Sequence, residues 1–455
     1  MIVSKNIMEQ DNGLLSTQKT SIAALVSSCI LLVFYLIVIQ DLVASRMAVT
    51  ISDNTYAKGF LFFKEFIVFC LAIVIYPFIG GRSEIKLALL LFSVTIFYVL
   101  ISPLPLGMAL QDFRPYCLMV ASFIIGNYLG KHNSVFDGII KSLIYLTIFI
   151  IMFGFVEHYL FPKKMFKEFF PLVQIATKVK GFSDIEFYRD GLPGNFINSD
   201  AGKRMVGPFG DPLYMGYFLI FCLDIIFAYW FFVKRRLNGA LILLLIGLYC
   251  IFLGQVRAVW IGLAVSIGIL FFNKRYLKYL IAAFFLVIFF VILKSDLIIT
   301  TVQSMFSGEG SSANHILAYY KGIPKIMSHP FGTGVGTHGS FATRSTTGEF
   351  YDAEGFENAY INLALEIGIL PTIFIVSVSV YLIKHSRMLI LKVKSISITE
   401  QIILLSGFLL NVQFVIAGFL SPHIMTARIA IPFWFLNGAC IAVIRRFKRS
   451  GQLEP

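Results

Sequence analysis

Charged side chains are scarce in this chain of 455 residues: Asp, Glu, Lys and Arg make up 14% of it, against about a quarter in soluble domains. That scarcity excludes an ordinary cytosolic enzyme, and the mean hydropathy of +0.82 points the same way. Cysteine is sparse as well. Cys29, Cys70, Cys117, Cys222, Cys250 and Cys440 form no CxxC pair and have no His neighbour at metal-ligand spacing. They read as small apolar core residues, which leaves neither a disulfide framework nor a zinc site. There is no aspartate-rich metal motif, internal repeat or low-complexity tract, and no pair of interrupted helices of the kind that inverted-repeat carriers show. Basic residues outnumber acidic ones by 38 to 25, a net charge of +13. They fall in short clusters between apolar runs instead of forming one face or tail, which argues against nucleic acid as a partner.

What the chain has in abundance is apolar sequence: 58% of residues, including 47 phenylalanines. A helix crossing a hydrocarbon core of roughly 30 Å needs about 20 mostly apolar residues. Runs near that length lie at 21–40, 59–79, 86–103, 110–130, 137–160, 212–233, 238–254, 257–272, 277–294, 359–381, 401–420 and 426–443. The expected fold is therefore an all-α polytopic membrane protein of about twelve transmembrane helices, one integral domain over 1–455. No small-residue cleavage site follows the first run, so it is expected to be a retained helix. The connections with Arg82 and Lys86, Lys131, Lys234 to Arg236, Lys274 and Arg275, Lys384 to Lys394, and the tail Arg445 to Arg449 alternate along the chain. By the positive-inside rule they place both termini in the cytoplasm and two long loops, 161–211 and 295–358, on the outer side.

Chemistry-bearing residues gather toward that outer side. Arg204 and Asp211 flank a Gly/Pro turn, Met205-Val206-Gly207-Pro208-Phe209-Gly210, which leads into a span. Arg257 opens another, after Gln255; an arginine at that depth needs a partner, an anionic ligand or a route to the interface. A planar guanidinium also suits a diphosphate, which it grips with paired hydrogen bonds. The segment His329-Pro330-Phe331-Gly332-Thr333-Gly334-Val335-Gly336-Thr337-His338-Gly339 contains the dinucleotide spacing of glycines. With no strand before it that match carries no nucleotide reading, and the glycines instead let the backbone approach a ligand or a neighbouring loop. Asn358, Asn362 and Glu366, spaced i, i+4, i+8, predict one polar stripe down a helix, with Glu366 facing the bundle interior near a basic partner or water. Lys64, Glu65, Asp112 and Arg114 fall near outer helix ends, where the expectation is that they line one cavity; for the Lys64/Glu65 pair and for Asp224 the alternative is an internal structural pairing.

With those residues in view, the chain resembles the O-antigen ligase and polymerase family of bacterial polysaccharide enzymes. The likeness rests on Arg204, Phe209, Asp211, Pro212 and Gly216; on Arg257 with Ala258; on Pro330, Gly334 and Gly336; and on Glu357, Asn358, Tyr360, Ile361, Glu366 and Gly368. It departs at Glu357, where ligases place a histidine, at Gln255, where a small hydroxyl residue is usual, and near Asn314 and His315, where an early loop arginine has no counterpart. The Glu357 departure favours a repeat-unit polymerase over a ligase. The resemblance implies a GT-C-like bundle in the bacterial inner membrane, with its active site on the periplasmic or external face. It also implies inverting transfer from an undecaprenyl-diphosphate-linked glycan, with no cofactor and no metal. Arg257 would stabilise the departing diphosphate, and Arg204 would bind substrate, assisting it or holding the acceptor glycan. Glu357, then His338, would serve as base, with Asp211, Asn358, Tyr360, Glu366 and Arg114 as substrate contacts. Membrane lipid, a chain-length regulator and a flippase of the same route are the implied partners. The rival expectations are a ligase acting on lipid A core or protein, and a non-enzymatic flippase or exporter of lipid-linked sugar.

Overall fold

The computed structural model describes residues 2–51, 53–79, 83–161, 164–175, 202–233, 239–271, 311–338, 356–392 and 396–451, with short strand pairs between 188 and 203. Helices dominate: α1 (Ile2–Thr50), α2 (Asn54–Ile79), α3 (Ser83–Leu100), α4 (Leu106–Leu129), α5 (Asn133–Phe155, continued as a π turn to Leu160), α6 (Pro212–Val233) and α7 (Gly239–Gly254). They are followed by α8 (Arg257–Phe271), α9 (Ser311–Ser328), α10 (Ala359–Ile367), α11 (Ile369–Lys392), α12 (Ile398–Gly418) and α13 (Ala427–Arg449). The two antiparallel ladders, Tyr188–Arg189 with Leu192–Pro193 and Ile197–Asn198 with Gly202–Lys203, are two residues long and form no layer.

Among the described residues, eight helices are long and apolar enough to cross a membrane, so the chain is an all-α multi-pass membrane protein. The other expected spans divide by cause. The run at 277–294 lies outside the described residues. α4 has 24 residues but carries Asp112, Arg114 and Asn127, and it is not among the eight. α7 and α8 are apolar, with 16 and 15 described residues, and each adjoins residues outside those described. The run at 359–381 does not form one helix: it breaks at Gly368, whose φ of +84° only glycine adopts readily, and the spanning piece is Ile369–Leu391.

α13 is buried without interruption from Ile429 to Ile444, and α12 from Ile402 to Phe414. A helix apolar on every side belongs inside a bundle. Around them the peripheral helices turn Ile73, Val74, Leu90, Tyr145 and Leu370 outward, as lipid-facing residues should be. Lipid tails are as apolar as leucine, so helix association in a bilayer depends on close packing and hydrogen bonds. The α4–α13 pair shows how close. A Cβ at Gly126 would overlap the Phe435 carbonyl, one at Gly438 the Phe123 carbonyl, and one at Gly130 would come within 2.7 Å of the Ala439 Cα.

The two ends of the bundle differ. At one, Arg445 pairs with Glu84 at 2.7 Å, Arg446 with Glu400, and Thr399 donates to Asp137 at 2.5 Å. The connection with Lys131 lies at this end too, beside α12's first turn: Asn133 donates to Ser397 at 3.0 Å. The opposite end holds the turn at 205–211, the glycine segment at 332–338 and α10. The α4–α13 contact makes a direct prediction. Gly126→Ala or Gly438→Ala forces two backbones apart and should destabilise by about 1–3 kcal/mol, read as a lower unfolding temperature in detergent. Gly138→Ala in α5, with nothing within 4 Å of the added carbon, should lose nothing.

Candidate functional site

Two charged groups occupy the end opposite the basic clusters. The first is built around Arg428, at the start of α13. Its Nη1 donates to Asp41 Oδ2 at 2.5 Å and to the Phe209 carbonyl at 3.0 Å, and its Nη2 donates to Asp41 Oδ1 at 2.7 Å. The guanidinium lies 4.5 Å from the centroid of the Tyr214 ring. This one side chain thus ties α1, α13 and the turn preceding α6 together. Asp211 caps α6, accepting from the Leu213 N–H at 2.7 Å and the Tyr214 N–H at 3.4 Å, as a short carboxylate does at a helix start.

Arg204 donates from Nε to the Gly254 carbonyl at 3.0 Å and from Nη2 to the Gln255 carbonyl at 2.8 Å. Gln255 stands at φ +53°, among the described residues the sole left-handed position that is not glycine, a conformation that must be held in place by its surroundings. Arg204 holds it, and the next turn begins α8 at Arg257. Arg204 lies within electrostatic range of both Arg257 and Asp211. Arg428 lies within range of Asp211 and of Lys64. Lys64 sits 3.4 Å from Glu65, and Arg114 pairs with Glu65 at 3.0 Å while lying over the Phe62 ring. Within this group five basic side chains (Lys64, Arg114, Arg204, Arg257, Arg428) meet three acidic ones (Asp41, Glu65, Asp211), with the Lys203–Glu157 pair and Asp112 and Glu366 at the same end.

The second group is built on α10. Asn358 is its N-cap, accepting from the Tyr360 and Ile361 N–H groups at 2.9 and 3.0 Å and donating to the Phe419 carbonyl at 3.2 Å. Asn362 clamps the backbone of Phe356, accepting at 3.1 Å and donating at 2.8 Å, which fixes the neighbouring Glu357. The Phe356 ring stacks on His338, whose Nδ1 lies 2.9 Å from the Thr337 hydroxyl. At the helix's far end the carbonyls freed by the break at Gly368 are taken by the glycine segment: Thr333 N–H donates to Leu365 O at 2.7 Å and Gly334 N–H to Glu366 O at 3.1 Å. The glycines therefore serve as a C-terminal cap for α10 and touch no nucleotide-like cleft.

Glu366 accepts from the Tyr116 hydroxyl at 2.7 Å, so of the two expected surroundings, a basic partner or water, a tyrosine takes the place of the first and the adjoining cavity leaves room for the second. With Asp112, Tyr116, Asn362, Pro422 and Thr426, Glu366 lines that cavity of about 50 Å³, room for a few waters. A second, apolar cavity of about 30 Å³ is lined by Ala258 and Val259 of α8 with Tyr217, Phe414, Ile424 and Phe433. The 3₁₀ turn Pro422–Met425 is the wall between them, with Ile424 on one side and Pro422 and Met425 on the other.

The expected site residues thus sort into two neighbourhoods. Arg204, Asp211, Arg257 and Arg114 share the first; His338, Glu357, Asn358, Tyr360, Glu366 and Asp112 share the second. Neither Arg257 nor Glu357 lines either cavity. Tyr360 donates to the Val415 carbonyl at 3.0 Å and packs edge-on against Phe419, so it and Asn358 are occupied in holding α10. Asp41 and Arg428 were not singled out from the sequence; an opposite pair of charges near the outer ends of the first and last spans was the signal. Glu157 and Lys203, paired at 2.5 Å with Glu157 fully buried, were missed likewise. Among the described residues no group of three or more His, Cys, Asp or Glu side chains converges to hold a metal.

Two outcomes follow from this geometry. Asp41→Ala strands a buried guanidinium and should cost about 3–5 kcal/mol, while Asp41→Leu with Arg428→Met should cost markedly less; thermal unfolding in detergent distinguishes them. Glu366 lies outside the eight spans, and burial, opposed by the Tyr116 hydrogen bond, raises its carboxyl from 4.5 to about 8. The fold therefore prefers the protonated acid, and that contribution is complete below pH of about 4.5 and lost as pH climbs toward about 8. The effect is on the order of a few kcal/mol, at about 1.36 kcal/mol per unit. The unfolding temperature of the native chain should fall over that window, and that of Glu366→Gln should fall less. Compared with known proteins, the chain matches no family model and no curated protein.

Proposed function

We propose that the chain is a glycosyltransferase that joins undecaprenyl-diphosphate-linked oligosaccharide repeat units into a surface polysaccharide at the outer face of the bacterial inner membrane. One observation carries this reading: the guanidinium-rich group at the bundle end opposite the basic clusters, beside an apolar cavity and a carboxylate-lined one. A lipid-diphosphate donor offers an anionic leaving group, which suits the arginines, and a hydrophilic sugar, which suits the polar groups around α10, while its greasy tail can stay among the lipid chains outside the bundle. On this reading both termini are cytoplasmic, and the remaining apolar runs complete a twelve-span, GT-C-like bundle.

In the transfer, the bond between the anomeric carbon and the diphosphate oxygen breaks as an acceptor hydroxyl attacks from the opposite face, inverting the centre. Negative charge grows on the departing diphosphate. Arg257 stabilises it from the first turn of α8, where helix N–H groups add a favourable field. Arg204 is a positioning residue, since it grips the strained turn from which Arg257 projects. The acceptor's proton passes to a carboxylate or imidazole of the α10 neighbourhood. Glu357 is the first candidate and His338 the second, with Glu366 as a third because it lines the cavity.

The nearest rival of another class is a carrier, which needs polar groups through the depth of the membrane. At depth, Gln413 donates to Asp224 at 3.0 Å and to Ser266 at 3.3 Å, and Asn411 to Asn437 at 2.7 Å; these groups bond one another in the packed core. Purified protein given one lipid-linked repeat unit should produce a ladder of glycans, and Arg257→Ala should slow this by about 10²–10³-fold. Undiminished elongation by the folded variant overturns the role of Arg257. A single transfer to a different acceptor makes the protein a ligase, and transport without a new glycosidic bond makes it a carrier.

A further inference from the structure

α9 (Ser311–Ser328) is helical, yet it is not among the segments able to cross a membrane. Its inner face is accounted for: Ala318 is buried with Ile361, Leu365 and Phe356, Tyr319 and Ile326 pack against them, and Gly322 lies so close to Ile361 that a Cβ would approach its Cγ2 to 2.6 Å. Tyr319 donates to the Phe419 carbonyl at 2.9 Å, which fixes the helix at the end of α12. A second face is apolar and exposed. Tyr320, Ile323 and Met327, at i, i+3 and i+7, are 79%, 53% and 72% accessible, and Lys321 stands on the opposite flank of the buried face. Aligned large apolar residues in the open mark a contact surface.

What covers that stripe is indicated by its neighbour. Beyond α9 the chain runs through Pro330, whose carbonyl accepts from the Ile369 N–H at 3.0 Å, and Phe331, 76% accessible, lies against Gly368. The stripe thereby continues onto Leu370 and Ile373, 74% and 54% accessible, in the first turns of the spanning helix α11. Those residues face lipid. We infer that α9 is an interfacial helix whose Tyr320–Ile323–Met327 stripe, prolonged by Phe331, is seated in the outer-leaflet boundary of the bilayer, with Lys321 toward water. An amphipathic helix of this kind lies about 5–10 Å into the boundary between headgroups and acyl chains. The inference stands apart from any transferase activity and needs only that the protein is a membrane protein. Because α9 packs on α10, it also sets the level of the membrane surface relative to Asn362 and Glu366.

The test uses the full chain reconstituted in phosphatidylethanolamine/phosphatidylglycerol vesicles, with Met327→Trp and Lys321→Trp compared after subtracting the emission of the unsubstituted protein. Both positions are exposed, so the fold should tolerate the change, and unfolding temperature confirms it. The expected result is that lipids brominated high on their chains quench Met327→Trp severalfold more than Lys321→Trp, and that aqueous acrylamide does the reverse. Equal acrylamide quenching of both would place the stripe in water. Protection of Met327→Trp from both quenchers would mean that protein covers it. Either result overturns the inference.

Discussion

A guanidinium near the mouth of a membrane bundle must be paired or reach water, and that requirement organises this molecule. Arg428 meets it with both oxygens of Asp41 and the carbonyl of Phe209. The first spanning helix, the last one and the turn before α6 cannot move independently without exposing a charge to a poor solvent. Breaking such a pair from one side costs more than never having had it, so the linkage fixes geometry more than it adds stability. The same logic recurs at Glu65, shared by Lys64 and Arg114, and at Glu157, held by Lys203 and by the Val206 and Gly207 N–H groups. Each acid joins elements far apart in sequence, and each lies toward the same end.

Backbone geometry is settled by a different constraint. α10 ends nine residues after it starts because Gly368 turns left-handed, and the carbonyls left without helical partners must be satisfied. The glycine segment supplies the donors, and its own positive-φ positions at Gly332, Gly334 and Gly336 bring it against Glu366, Ser102 and Asp112. One break therefore calls for a second irregular segment. Glu366, two residues before the break, is buried opposite the Tyr116 hydroxyl.

Much of the architecture is legible in composition, because a span must be long and apolar whatever it packs against: α1, α2, α3, α5, α6, α12 and α13 coincide with apolar runs. The alternation of basic connections likewise agrees with Arg445 and Arg446 sharing one end with Lys131. Positions near the outer ends of helices could be grouped by side, but the one cavity expected for Lys64, Glu65, Asp112 and Arg114 is not found: Lys64 and Arg114 pair with Glu65, the alternative expected of Lys64 and Glu65, and of the four only Asp112 lines a cavity. Pairing was harder to read. Nothing local in the sequence links Asp41 to Arg428 across 387 positions, and the capping role of Asn358 could not be told from a place in a polar stripe, since both need a small amide at a helix start. The break at Gly368 was hidden because an apolar helix often tolerates glycine, and only the tertiary contacts of that residue reveal its φ.

The arrangement of the two cavities bears on how any reaction here must proceed. Ile424 lines the apolar cavity while Pro422 and Met425 line the carboxylate one, so a single short turn stands between the two cavities. The turn is tied to α13 directly, since Thr426 caps the helix start and the Ala430 N–H donates to its carbonyl at 2.8 Å; α13 in turn is tied through Arg428 to α1. Movement of the wall is therefore resisted by the same buried pair that closes the bundle.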